Sequence, residues 1–191
     1  LPVSEKAWRS EGSKMFVALN SQVKVEDLIR GMIIQSGNDA CVVLAEGVAG
    51  SEENFTELLN AKAKEIGMNG SHFMNSSGWP DPEHYSTVRD LAAMAKYLVT
   101  NYPDEYKYYS EKEFTYNNIK QGNRNPLLYK NMGADGVKTG HTDDGGYGLI
   151  GSAVREGRRV IMVLNGTASM QERADEASKL VEWALVSFKN L

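Results

Sequence analysis

Leu28, Ile29 and Met32 fall on one side of a 3.6-residue period, so residues 25–32 are predicted to form a short amphipathic helix. Ser36-Gly37-Asn38 interrupts the pattern, and an apolar helix is predicted over 39–48. Ser51 followed by Glu52 and Glu53 is a strong helix start: a hydroxyl cap, then two acids beside the positive end of the helix dipole. Phe55, Leu58, Leu59 and Ile66 mark the stripe expected to be buried, and Gly67 the expected stop. Residues 69–85 are rich in Gly, Pro and Asn and read as a loop. Ser86-Thr87 then cap another helix, with Leu91, Met94, Ala95 and Leu98 facing inward.

Strand patterns dominate the rest. Residues 15–19 are strand-like and end in the turn-forming Asn20. Residues 113–119 alternate, 121–126 form a polar loop, and 133–136 have turn composition. Two β-rich runs, 145–155 and 158–165, are joined by Glu156-Gly157 in a predicted hairpin. A terminal helix is predicted over 171–189, with Ala177, Leu180, Val181, Ala184 and Phe188 near helical spacing. Helices first, then strands, then a helix predicts an α/β (α+β) fold with an antiparallel sheet, not a doubly wound parallel one. Without repeats, low-complexity tracts or a linker, residues 1–191 read as one domain.

Composition narrows the function classes. At 191 residues, 41% hydrophobic and 24% charged, the chain is long enough for a substantial core. Its 21 basic and 25 acidic residues are interspersed, for a net charge of −4, which argues against a nucleic-acid platform. No apolar run approaches the roughly 18–20 residues that span a bilayer. The single cysteine, Cys41, lies in the apolar run Ala40-Cys41-Val42-Val43-Leu44-Ala45 and reads as a buried structural thiol. His72, His84 and His141 are far apart and have no ligand partners at metal spacing, so no metal is expected.

Three short motifs carry candidate chemistry. Ser21-x-x-Lys24 has the spacing of a lysine-activated serine nucleophile. That chemistry needs both residues on one helix face, whereas here the pair follows a strand-like run. Residues three apart on an extended chain point to opposite sides, so a turn is the better reading. Ser36-x-Asn38 lies in an interhelical turn, where a hydroxyl can relay a proton and an amide can hold a carbonyl. Lys138-Thr139-Gly140 precedes the β-hairpin: an ammonium and a hydroxyl suit a carboxylate, and the glycine lets a ligand backbone approach.

Together, S-x-N and K-T-G are the second and third parts of the active-serine penicillin-recognising signature. The chain resembles the low-molecular-mass penicillin-binding proteins, the serine-type D-alanyl-D-alanine carboxypeptidases of peptidase family S11 (penicillin-binding protein 5/6-like). The likeness extends through "LIRGMIIQSGNDACVVLAEGVAGS", "GSHFMNSSGWPDPEHYSTVRDLAAMAKYL", "DEYKYYSEKEFTYNNIKQGNRNPLLY", "DGVKTGHTDDGGYGL" and "ERADEASKLVEWAL", in the family's order.

The resemblance implies a β-lactamase/transpeptidase-like catalytic domain: an antiparallel sheet with flanking helices and a helical subdomain. It implies hydrolysis of the terminal D-alanine from peptidoglycan stem peptides through a serine acyl-enzyme, without cofactor or metal. Ser36 would be the relay serine, and Asn38 the amide holding substrate and the lysine network. Lys138 would be the electropositive proton-relay partner, with Thr139 binding the terminal carboxylate. Gly140 would line the substrate strand, the His141 N–H would stabilise the oxyanion, Arg173 would help recognise the free carboxylate of the terminal D-alanine, and Arg124 would be another cleft-side arginine. Stem peptides ending in D-Ala-D-Ala and β-lactams are the expected partners, at the periplasm or the outer face of a bacterial cytoplasmic membrane.

The family's nucleophile is expected upstream of Leu1, and its β-rich domain and membrane anchor downstream of Leu191, which makes 1–191 a partial catalytic domain. Its opening, Leu1-Pro2-Val3, fits a processed or excised chain. Glu57-Leu58-Leu59-Asn60 superficially resembles the deacylating motif of class A β-lactamases, which is one alternative; a non-catalytic scaffold of the same fold is the other. The 191-residue chain is expected not to label with fluorescent penicillin. Labelling that disappears on Ser21→Ala would make Ser21 the nucleophile after all.

Overall fold

The computed structural model describes residues 1–188; the predicted helix end at Lys189 lies outside them. The chain folds into two compact units, Leu1–Ser86 with Glu111–Asn123, and Thr87–Ser110 with Arg124–Leu191.

The first unit contains α1 (Glu5–Arg9), α2 (Val25–Ile33), α3 (Asn38–Ala49), α4 (Glu52–Glu65), β1 (Glu113–Tyr116) and β2 (Ile119–Gly122). Its core gathers Val3, Met15, Val17, Leu28 and Val43, with Phe114 and Tyr116 packed against them. The hydrophobic pattern does not reveal α1, which buries only Ala7 and starts at the Ser4 cap. In α4 the Ser51 hydroxyl accepts from the Asn54 N–H, as its sequence position predicts. Gly67, at φ 86°, follows the helix in the left-handed conformation that glycine adopts without strain. The predicted stripe holds only in part. Phe55, Leu59 and Ile66 are half-buried, but Leu58 is 53% exposed and Ala63 is the buried residue of α4.

Two strand predictions in this unit are corrected. The alternating run 113–119 folds back on itself at Asn117 and Asn118, with φ 47° and 60°, and becomes the β1–β2 hairpin. Both central residues sit where a type I′ turn needs positive φ, and asparagine tolerates that region. Residues 15–19 form no strand, because their N–H groups go to a side chain instead of a neighbouring strand. The Met15, Phe16 and Val17 amides donate to the buried Asp39 carboxylate at 2.9, 2.9 and 3.2 Å. Phe16 reaches φ 68° to permit this convergence. Asn117 Nδ2 donates to the Phe16 carbonyl at 2.9 Å and Gln121 Nε2 to the Lys14 carbonyl at 3.0 Å. Side chains therefore satisfy the backbone groups that a sheet would otherwise have to satisfy.

The second unit contains α5 (Val88–Asn101), short 3-10 helices at Glu105–Ser110 and Pro126–Tyr129, then β3 (Ala134–Thr142), β4 (Gly146–Arg155), β5 (Arg158–Thr167) and α6 (Met170–Ser187). The strands form an antiparallel sheet in the order β3-β4-β5. Glu156 and Gly157, at φ 52° and 76°, make the predicted hairpin turn. Both sheet faces are covered, which explains why β5 is almost continuously apolar. Val160, Met162 and Leu164 pack with Leu149 among Ala177, Val181 and Leu185 of α6. Ile161 and Val163 pack with Ile150 and Ala95 of α5. The predicted stripe of α6 holds in part: Ala177, Val181 and Ala184 are buried together with Leu185, while Leu180 is 38% exposed and Phe188, the cap residue after the helix, 55% exposed.

The turn predicted at 133–136 is partly strand. β3 begins at Ala134, and its register with β4 shifts between Ala134 and Gly136, leaving Asp135 outside the paired ladder. Asp135 meets Arg159 in a two-pronged ion pair, at 2.9 and 2.8 Å. The same guanidinium bonds the Ser152 hydroxyl and lies 5.4 Å from the centroid of the Tyr106 ring. Burial pushes the Tyr106 phenol up from 10.0 to about 12.

Two measurements follow. Asp39→Ala would leave four N–H donors without that acceptor, those of Met15, Phe16, Val17 and Ala40, at about 1–3 kcal/mol each where they are buried. The urea midpoint should fall by the equivalent of at least about 3 kcal/mol. Tyr106 keeps its proton to about pH 12 in the folded chain but loses it near 10.0 when unfolded. Its stabilising contribution is complete below pH 10.0 and is lost as pH rises to about 12. Urea denaturation at pH 9 and pH 11.5 should therefore show a steeper loss for the wild type than for Tyr106→Phe, by at most about 2–3 kcal/mol.

Candidate active site

Ser36 lies in the turn between α2 and α3 and Asn38 is the first residue of α3, and each is half-buried. Ser36 has φ 56°, a left-handed conformation that is uncommon for a residue with a side chain. The turn is held from three directions. Gly37 N–H donates to the Gly31 carbonyl at 3.0 Å and Asn38 N–H to the Ser13 carbonyl at 2.8 Å. Asn38 Nδ2 donates to the Glu11 carbonyl, also at 2.8 Å, which fixes the amide plane. A Cβ on Gly37 would stand 2.8 Å from Asp39 Oδ1 and 2.9 Å from the Met15 nitrogen, so this position admits no side chain.

Asp39 escaped the sequence reading. Its carboxylate, 1% exposed, clamps the Met15–Val17 backbone and also accepts from the Ala40 N–H. The available signal was a lone acid in the first turn of an otherwise apolar helix. An acid in that place must be either at the surface or completely satisfied.

In the second unit, β3 is an edge strand and carries Lys138, Thr139, Gly140 and His141 in sequence. Cross-strand partners share a face. Lys138 pairs with Ile150, on the side of the sheet that packs with α5. Thr139 pairs with Leu149, on the side that packs with α6, and His141 pairs with Tyr147. Lys138 Nζ bonds its neighbour's carbonyl, on Thr139, at 2.9 Å. Thr139 is buried at 9% exposure. Nothing stands within 4 Å of where a Gly140 Cβ would be, so the strand surface is open there.

Arg173 is the first-turn arginine of α6 and is 6% exposed. Its guanidinium carbon lies 5.6 Å from the Tyr147 ring centroid, and that ring is 4.0 Å from the His141 ring. Arg173 Nε has no hydrogen-bond partner among the described residues. Burial lowers its pKa below the ordinary arginine value, the Tyr147 hydroxyl works against this, and the neighbouring charge of Arg124 lowers it further. A guanidinium does not give up its proton, so Arg173 carries a fixed positive charge where it is buried. Arg124 is exposed, in the loop before the Pro126–Tyr129 helix. Tyr147, whose ring lies beside Arg173, was missed; the pair comes together only in the fold.

Other motifs resolve as structural. The Ser21 hydroxyl bonds the Ala18 carbonyl at 2.7 Å, and Lys24 is the cap residue of α2. Cys41 is buried, and Glu57 lies exposed on α4. Among the described residues no group of three or more His, Cys, Asp or Glu side chains is placed to hold a metal. None of the described helices is long and apolar enough to cross a membrane.

Residues 1–169 match the family model Peptidase_S11, D-alanyl-D-alanine carboxypeptidase. The chain is 43% identical over 192 residues to the D-alanyl-D-alanine carboxypeptidase DacA of Haemophilus influenzae, covering 98% of this chain and 49% of that protein. Among solved structures, the D-alanyl-D-alanine carboxypeptidase DacD from Francisella tularensis superposes with a TM-score of 0.95 at 36% identity, over 100% of this chain and 59% of that one. Penicillin-binding protein 5 from Haemophilus influenzae does so with a TM-score of 0.93 at 43% identity, covering 96% and 55%. The chain spans about half the length of the curated relatives it matches. The mixed α/β architecture with antiparallel strands, expected from the order of the elements, is that of these structures. The chain belongs to the S11 peptidase family, the D-alanyl-D-alanine carboxypeptidases.

Proposed function

We propose that the polypeptide carrying this chain removes the terminal D-alanine from peptidoglycan stem peptides through a serine acyl-enzyme, in the bacterial periplasm. The observation that carries this reading is Arg173: buried, with an unpartnered Nε, and beside Tyr147, the second strand position of β4. Thr139 is on the same side of the sheet as Leu149 and so as α6. A hydroxyl and a guanidinium there suit a substrate that ends in a free carboxylate, which is what separates a carboxypeptidase from an endopeptidase.

The chemistry then follows in two steps. A serine Oγ attacks the penultimate D-alanine carbonyl, an Oγ–C bond forms, and the developing oxyanion is met by backbone N–H groups, that of His141 among them. The C–N bond breaks, and the proton released by the serine passes to the departing amine, with the relay roles that the family resemblance gives to Ser36 and Lys138. The Asn38 amide holds the substrate's carbonyl side. Water then attacks the ester, the Oγ–C bond breaks, and the proton returns to the serine. Ser21 is not that serine, because its hydroxyl is engaged by Ala18. The nucleophile is assigned to a segment outside these 191 residues. The left-handed backbone at Ser36 supports its role, since such strain persists where function requires it.

Arg173→Ala in the full-length polypeptide tests this reading. Removing one partner of a desolvated charge pair should lower kcat/KM for diacetyl-L-Lys-D-Ala-D-Ala on the order of 100-fold. The loss should shrink below about threefold on the C-terminal amide of the same peptide, which offers no charge to the guanidinium. Equal losses on acid and amide would remove Arg173 from carboxylate recognition. No D-alanine release by the wild type, or rapid multiple turnover of nitrocefin, would overturn the carboxypeptidase reading itself.

A further inference from the structure

In the loop at residues 69–85, the backbone of Trp79 is held by one asparagine side chain. Asn75 Oδ1 accepts from the Ser77, Gly78 and Trp79 N–H groups at 3.3, 2.8 and 3.0 Å, and Asn75 Nδ2 donates to the Trp79 carbonyl at 2.8 Å. Next to it, Glu52 of α4 accepts from both the N–H and the hydroxyl of Ser76, at 3.0 and 2.6 Å. The Trp79 backbone is thus fixed by both its polar groups, yet its side chain remains 46% exposed. An exposed indole on a pinned backbone loses little freedom when a ligand covers it, as is usual for aromatic anchors.

The indole sits beside Asn38. A Cβ on Gly12 would stand 2.9 Å from Trp79 Cζ3 and 2.9 Å from Asn38 Nδ2, so the ring and the amide meet over the same glycine. Gly12 has φ 76° as well, so both its conformation and the space above it exclude a side chain. Asn38 Nδ2 already donates to the Glu11 carbonyl, and its orientation at the indole edge is therefore set.

We infer that Trp79 is a specificity-determining platform for the acyl side of the substrate, the amide and aliphatic groups of the stem peptide that precede the penultimate D-alanine. This rests on the reading under Proposed function. There the Asn38 amide holds the substrate's carbonyl side, and the indole that stands beside it meets the portion of the peptide upstream of the scissile bond. Flat amides and methylene chains are good partners for an indole face.

The test uses the full-length polypeptide and two substrates, diacetyl-L-Lys-D-Ala-D-Ala and the shorter acetyl-D-Ala-D-Ala. Trp79→Ala should lower the long-to-short ratio of kcat/KM about tenfold, chiefly through KM for the long peptide, and Trp79→Phe should recover most of the ratio. If kcat/KM falls equally for both substrates, or phenylalanine fails to recover the ratio, Trp79 only anchors its loop and the inference is wrong. A binding measurement covers the case in which Trp79→Ala does not fold. In a background in which every other tryptophan of the full-length polypeptide, Trp8 and Trp183 among them, is phenylalanine, Trp79 emission should shift as the long peptide saturates; an unchanged spectrum at saturation overturns the inference. If the wild type releases no D-alanine from either substrate, the carboxypeptidase reading fails, and the fluorescence titration still decides whether Trp79 binds the peptide.

Discussion

A charge taken out of water has to be met by another charge or by aligned dipoles, and this constraint organises both units of the chain. The structure meets it differently in each of three places. Asp39 is surrounded by backbone N–H groups, so a carboxylate replaces the strand that the Met15–Val17 backbone would otherwise need. Asp135 and Arg159 neutralise each other across the sheet, with Ser152 and Tyr106 completing the shell. Arg173 has an aromatic ring and another arginine near it, and its Nε is unmet among the described residues. Two of these charges are resolved within the fold. The third is not resolved by a partner at Nε among the described residues.

Both resolved charges also hold candidate site residues in place. Asp39 directly follows Asn38, so the bonds that fix its carboxylate fix the first turn of α3, and with it the Ser36–Asn38 turn. Asp135 lies just before Lys138, at the irregularity where β3 leaves strict register with β4. Its pairing with Arg159 of β5 ties the start of β3 to a strand that is not its neighbour in the sheet. Reacting groups must be held to within a fraction of an ångström, and packed, hydrogen-bonded supports of this kind do so better than mobile loops.

Much of the fold was legible because its signals are local. The Ser51 cap, the left-handed stop at Gly67 and the Glu156-Gly157 turn depend on a few neighbouring residues, and each stands where it was predicted. The misses share one cause: the deciding partner is distant in sequence. Leu58, Leu180 and Phe188 fit a helical stripe but face outward, because the burial of a stripe depends on what packs against it. Residues 15–19 looked like a strand until a carboxylate more than twenty positions away took their N–H groups. In the candidate site, S-x-N and K-T-G could be read as motifs. Asp39, Tyr147 and Trp79 could not, because each matters through what it touches.

The amino-acid sequence by itself determined the order of helices and strands, the antiparallel character of the sheet and membership in a recognisable family, since periodicity, turn chemistry and contiguous motifs are all written along the chain. The tertiary structure alone decided which charges are buried and how each is satisfied. Burial and pairing are set by residues brought together from far apart, and a charge changes from a surface ornament to a binding group only when water is removed from around it. Arg173 in the sequence is one basic residue among 21; in the fold it is a buried cation beside Tyr147.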